Sequence, residues 1–175
     1  MNYREGNLSF EFSGANTVIK LDARETKLPH GMQFVDFVVE QEKEIYLIEV
    51  KDPFQKRVPE KEKARYFKEL ENGARLINEV FVPKARDSYT YLHLMERDSK
   101  PFVYIVLIAE GEDFSKKDLD ILLSTGLQTR LKNRIQKEAE KPWKRKYIQN
   151  CIILTLKKWK ELFPDWTIRR REESA

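Results

Sequence analysis

The sequence predicts an α/β fold: a mixed central β-sheet, an antiparallel meander followed by βαβ units, flanked by helices. Three observations predict it. The first third holds short segments rich in β-formers with alternating or two-sided apolar character. The middle changes to a three-to-four-residue apolar period. Two later apolar runs, 102–109 and 148–156, have strand length and read as fully buried strands.

In chain order, Leu8–Phe12 and Thr17–Ala23 read as strands joined by the turn Ser13-Gly14-Ala15-Asn16. Arg24–Gly31 is a polar loop. Gln33–Glu40 and Ile45–Lys51 are stronger strands separated by Gln41-Glu42-Lys43-Glu44. From Pro59 to about Val82, Ala64, Phe67, Leu70, Ala74 and Ile77 mark a long amphipathic helix, which Pro83 is expected to break. A shorter helix is expected over Asp87–Met95. Ser115 to about Glu140 is expected to be helical, with Ser115 as its cap. Lys157–Phe163 reads as a helical turn and Trp166–Arg170 as a short edge strand.

The chain has 175 residues, enough for one domain over 1–175 with a proper core and too few for two comfortable ones. Charged residues make up 35% of it, yet 33 basic residues stand against 29 acidic ones, giving a net charge of +4. That mild excess permits a polyanionic partner without demanding one. One cysteine allows no intrachain disulfide, and two histidines with one cysteine cannot build a zinc site by themselves. No apolar run approaches the roughly 20 residues of a membrane span, and no signal peptide is read at the N-terminus. The expectation is a cytoplasmic protein with no membrane partner.

Three charges interrupt the apolar strands: Asp36, Glu49 and Lys51. Burying an unpaired charge costs several kcal/mol or forces neutralisation, so each needs a reason. A hairpin centred between Glu42 and Lys43 pairs residues whose numbers sum to 85, placing Asp36 opposite Glu49. Their Cβ atoms would then lie about 5 Å apart, with Lys51 two residues along on the same face. A divalent cation between the carboxylates would relieve their repulsion, and oxygen ligands suit Mg²⁺ or Mn²⁺ better than zinc. On an exposed hairpin the same residues would form an ordinary diagonal salt bridge. Phe34, Val38, Ile45 and Leu47 on that face argue against exposure.

The pattern Asp36, twelve residues, then Glu49-Val50-Lys51 resembles the PD-(D/E)xK nuclease superfamily, with its restriction-endonuclease-like fold. The resemblance covers about residues 17–110 and rests on one short motif. It implies Asp36 and Glu49 as metal ligands, the Val50 carbonyl as a further ligand, and Lys51 as the group that positions the attacking water. Val35 stands where the family usually has proline. The family's additional glutamate has no clear counterpart; Glu11 and Asp22 are the candidates. Gln55 receives no defined role.

Nucleic acid, DNA before RNA, is the partner this implies. Lys141, Trp143, Lys144, Arg145 and Lys146 are the candidate contacts, the lysines and arginine with phosphates and the tryptophan with a base. A solvated loop is the other reading of that segment. For Arg130, Lys132, Arg134 and Lys137 a solvated helix face is favoured. Arg169-Arg170-Arg171 adds a third basic run. Trp159, Trp166 and His93 are expected to pack, while His30 could approach the carboxylates. Cutting both strands of a duplex would call for two sites, hence a homodimer. The competing expectation is an inactive module of the same fold that binds nucleic acid or protein.

Overall fold

The computed structural model describes residues 1–23, 28–54, 57–111 and 122–171. Five strands form the main sheet: β3 (Thr17–Lys20), β4 (Phe37–Glu40), β5 (Ile45–Lys51), β6 (Phe102–Ile108) and β7 (Asn150–Leu154), in that spatial order. The β3–β4 and β4–β5 pairs are antiparallel, while β5–β6 and β6–β7 are parallel. The fold is therefore mixed α/β, with a meander running into parallel crossovers. β6, all seven residues buried, lies inside the sheet, as its unbroken apolar run requires.

Leu8–Phe12 (β2) does not join the meander. It lies between β1 (Asn2–Glu5) and β8 (Trp166–Arg170) in a separate three-stranded antiparallel sheet. Alternation fixes which β2 side chains are buried but not which strand they pair with. Leu8, Phe10 and Phe12 pack with Phe37, Ile48, Trp159 and Trp166 on one face of the main sheet. The expected edge strand Trp166–Arg170 thus lies at the edge of this second sheet, and Trp159 and Trp166 are core residues, as expected.

Three helices cover the other face: α1 (Glu60–Asn72), α2 (Val82–Leu94) and α3 (Gln128–Gln136). Leu70, Phe81, Ala85, Leu127 and Leu131 meet Val38, Leu47, Tyr104 and Val106 there. The expected helix over 59–82 is interrupted at Gly73, which takes φ +69° and donates its N–H to the Glu69 carbonyl at 2.7 Å. The chain resumes as a π-helical stretch, Leu76–Phe81, that runs directly into α2. Pro83 therefore breaks nothing. It falls in the first turn of α2, where a missing N–H costs little.

At its other end, α3 stops at Gln136 rather than 140. The described part of that helical region begins with a π-helical stretch, Leu122–Leu127. Ser115 and Leu119 lie outside the described residues. A fourth helix, α4 (Leu156–Leu162), follows β7 directly. The Thr155 hydroxyl accepts from the Lys158 N–H, and the Glu110 carboxylate accepts from Leu156 N–H at 2.6 Å. Those acceptors satisfy backbone donors that the first turn leaves free.

Gly73 gives a direct test of this arrangement. An added Cβ would lie 2.6 Å from Leu127 Cδ1 and 2.7 Å from Arg130 Nη2, on a backbone that L-residues avoid. Gly73→Ala is expected to cost about 1–2 kcal/mol and lower the melting temperature by about 3–6 °C, measured by calorimetry.

Candidate functional site

β4 and β5 pair with Phe37 opposite Ile48, Val38 opposite Leu47, Val39 opposite Tyr46 and Glu40 opposite Ile45. This is the register in which partner numbers sum to 85. The Gln41 N–H donates to the Glu44 carbonyl at 2.9 Å and closes the turn. Extended by one pair, the register sets Asp36 against Glu49 on the helix-covered face. β4 itself starts at Phe37, later than expected. Just before it, the Gln33 N–H bonds Asp87 Oδ2 and the Val35 N–H bonds Ser88 Oγ, both on α2. Side chains of the covering helix replace a strand partner at these positions.

Asp36 is 4% exposed and Glu49 is fully buried. The Val50 N–H donates to Asp36 Oδ2 at 2.6 Å. In an extended strand a residue's N–H and C=O point to the same side, so the Val50 carbonyl shares the edge that Asp36 occupies. Lys51 Nζ stands 2.6 Å from Glu49 Oε1, in ion contact but without aligned hydrogen-bond geometry. The structure thus brings Asp36, Glu49, Val50 and Lys51 together.

It also adds Lys84, which the sequence reading missed. Its ammonium lies 2.8 Å from Glu49 Oε2 and 3.9 Å from Asp36 Oδ1. Burial alone would lower this ammonium's pKa, but Glu49 and Asp36 outweigh burial and hold it above the usual lysine value. Burial, then Glu49, pushes the Asp36 carboxyl up to about 8, against the opposing pull of Lys84 and the Val50 N–H. The Tyr66 and Tyr104 hydroxyls are buried with no hydrogen-bond partner among the described residues. Burial, followed by Glu49, raises both phenols.

Asp36 also belongs to a second acidic set. Carboxylate oxygens of Glu5, Asp22 and Asp36 all lie within 4.8 Å of one another, and Asp22 is exposed. Of the two candidates for the extra acid, Asp22 is therefore at the site. Glu11 is not: it sits on an exposed position of β2, with its carboxylate 3.5 Å from the Thr167 hydroxyl. Glu5 was missed because its strand carries no apolar signal. It is tied to Lys20 at 2.8 Å. His30 is exposed in the turn preceding this segment, and Gln55 lies outside the described residues.

The donor set fits a hard divalent cation. Asp36 is shared by two oxygen sets, one with Glu5 and Asp22 and one with Glu49 and the nearby Val50 carbonyl, and among the described residues no sulfur or imidazole joins the acidic cluster. One cation, the Lys84 ammonium, already stands between Asp36 Oδ1 and Glu49 Oε2, so both oxygens can address a common positive charge.

The basic loop is elsewhere. Lys141, Trp143, Lys144, Arg145 and Lys146 are all exposed between α3 and β7, anchored by Trp143 N–H to the Gln136 carbonyl. This loop leads into β7 beside Phe102, where the Gln149 N–H meets the Phe102 carbonyl. Glu49 and Lys51 lie opposite Val106 and Ile108, at the far end of the parallel strands. At about 3.3 Å per residue the separation along the strands is roughly 13–20 Å.

Other basic residues have structural duties. Arg130 donates to the carbonyls of Glu71 and Asn72 at the end of α1. Arg134 bonds Asn78, and Arg170 forms a two-pronged pair with Asp52. His93 stacks on Tyr89 and meets Asp98.

No protein-family model, curated protein or solved structure matches this chain. Among the described residues, no helix is long and apolar enough to cross a membrane.

Proposed function

We propose that this chain is a metal-dependent nuclease of the restriction-endonuclease-like fold, hydrolysing phosphodiester bonds in nucleic acid, DNA in the first instance. The observation that carries the reading is the buried Asp36–Glu49 pair with Lys51 beside it, opening through Asp22 to solvent. Two facing carboxylates in a protein interior are costly without a cation, and a structural core would do better with apolar residues there.

On this reading Asp36, Glu49 and the Val50 carbonyl hold Mg²⁺ or Mn²⁺. Bound there, the ion supplies a nucleophile near neutral pH and offsets the phosphate charge. Lys51, 28% exposed at the side chain, orients the attacking water and faces the charge that develops on the phosphate. Water oxygen bonds to phosphorus, the opposite P–O bond breaks, and the leaving oxygen takes a proton. Incubation with labelled single- and double-stranded DNA and RNA, with Mg²⁺, Mn²⁺ or chelator, tests it. Cleavage that chelator abolishes is expected; intact substrates throughout would reject it. Cutting both strands would need two copies, hence a homodimer or two encounters.

A second reading is favoured by one observation. Once Asp36 is ionised, Lys51 and Lys84 together match Asp36 and Glu49 in charge, so the four could be a closed ion cluster in a non-catalytic module that binds nucleic acid or protein.

The exposed loop is proposed as the distal grip on the nucleic acid. Replacing Lys141, Lys144, Arg145 and Lys146 by Ala should weaken binding and flatten its salt dependence, by up to about four counterions on duplex DNA. Unchanged affinity and slope in a salt titration would leave the segment a solvated loop.

A further inference from the structure

We infer that Lys84 is a built-in competitor for the divalent cation: its ammonium occupies the position between Asp36 and Glu49 and must withdraw before the ion can load. The inference rests on the metal-site reading above and goes beyond it by assigning a role to a residue outside the motif. Lys84 belongs to α2, on the far side of a helical crossover from β5. Its approach to both carboxylates therefore comes from the covering layer, not from the hairpin. The contacts are unequal, 2.8 Å to Glu49 Oε2 and 3.9 Å to Asp36 Oδ1. Lys51 is different in kind: its ion contact is to Glu49 Oε1, on the other oxygen of the same carboxylate.

A divalent ion ligated by Asp36 and Glu49 needs those two facing oxygens, and two cations cannot share them in a buried site. Lys84 is attached to a four-carbon stem and its side chain retains 18% exposure, so withdrawal toward solvent needs no backbone change. The consequence is regulatory. Lys84 holds the carboxylate pair in the metal-free protein and raises the cation concentration at which the site loads.

The test is Mn²⁺ titration by calorimetry on the full chain, in wild type, Lys84→Met and Lys51→Met. Methionine keeps the stem and removes the charge. Lys84→Met should bind Mn²⁺ on the order of tenfold or more tightly than wild type, and more tightly than Lys51→Met. Affinity unchanged or weakened in Lys84→Met, with wild type still binding, would overturn the inference and leave the metal-site reading standing. Binding by Lys84→Met alone would support the inference and reject a metal-loaded wild type. Binding by none of the three would reject both.

Lys84→Met leaves two carboxylates less compensated and could fail to fold. Wild type then serves, with ¹³Cε-labelled lysine followed by NMR during Mg²⁺ titration and the Lys84 signal assigned by Lys84→Arg. That signal should shift with the same midpoint as ion binding; a signal unmoved at saturation would overturn the inference.

Discussion

Lys51→Met is expected to lower Mg²⁺-dependent cleavage by about 10²–10³-fold at saturating metal, the usual cost of removing one preorganised group that faces developing charge. Mn²⁺ binding should survive, because an ammonium is no ligand and its departure removes a positive charge 2.6 Å from Glu49. The two results together are the diagnosis. Loss of cleavage with metal affinity intact or improved assigns Lys51 to the reaction. Loss of both would assign it to holding Glu49 in place. Single-turnover cleavage and calorimetry on the same preparation separate these outcomes.

Asp36→Asn is expected to abolish cleavage and yet stabilise the metal-free protein above neutral pH. The asparagine oxygen can still accept from the Val50 N–H, and the charge facing Glu49 is gone. The sign follows from linkage. Asp36 is raised to about 8 in the folded chain by burial and Glu49, against about 3.9 unfolded. The folded state therefore binds the extra proton. The stability this confers is full below about pH 4 and is lost as pH rises through about 8.

Wild type without metal should accordingly lose melting temperature relative to Asp36→Asn between pH 5 and pH 9, by a free energy of at most ~5 kcal/mol. Mn²⁺ should restore wild type and do little for the variant, since a ligand at free concentration c that binds only the folded state stabilises it by RT ln(1 + c/Kd), which vanishes when Kd far exceeds the metal concentration. A wild-type-to-variant difference flat in pH, with no metal-dependent rise in wild type, would make Asp36 an ordinary member of an ion cluster.

Much of this site was legible because strand geometry is rigid. Period-two alternation and a short turn fix a hairpin register, and that register alone set Asp36 against Glu49 with Lys51 alongside. The apolar neighbours Val38 and Leu47 also indicated correctly that the face is buried.

What escaped the sequence came from elements whose partners are distant. Glu5 lies on a strand with alternating exposed and half-buried residues, so it carries no apolar pattern to read. It reaches Asp36 only because β1 pairs with β2 and β2 with the C-terminal β8, which also takes Leu8–Phe12 out of the meander. Lys84 was hidden by Pro83. Proline next to a helical pattern reads as a stop, and here it marks the first turn of α2, delivered by a π-helical stretch that periodicity cannot distinguish from an α-helix. The break that does occur, at Gly73, is a left-handed cap set by one glycine. The basic loop was legible as a composition, but its distance from the carboxylates follows from the parallel crossover that brings β7 beside β6.

The central claim is that Asp36 and Glu49 jointly hold a divalent cation, and anomalous diffraction from a crystal soaked in Mn²⁺ tests it most directly. The account predicts a manganese peak within about 2.0–2.3 Å of oxygens from both Asp36 and Glu49, with Lys84 withdrawn from between them. A saturated soak with no peak between these carboxylates, or one confined to Glu5 and Asp22 with Lys84 still on Glu49, would contradict it.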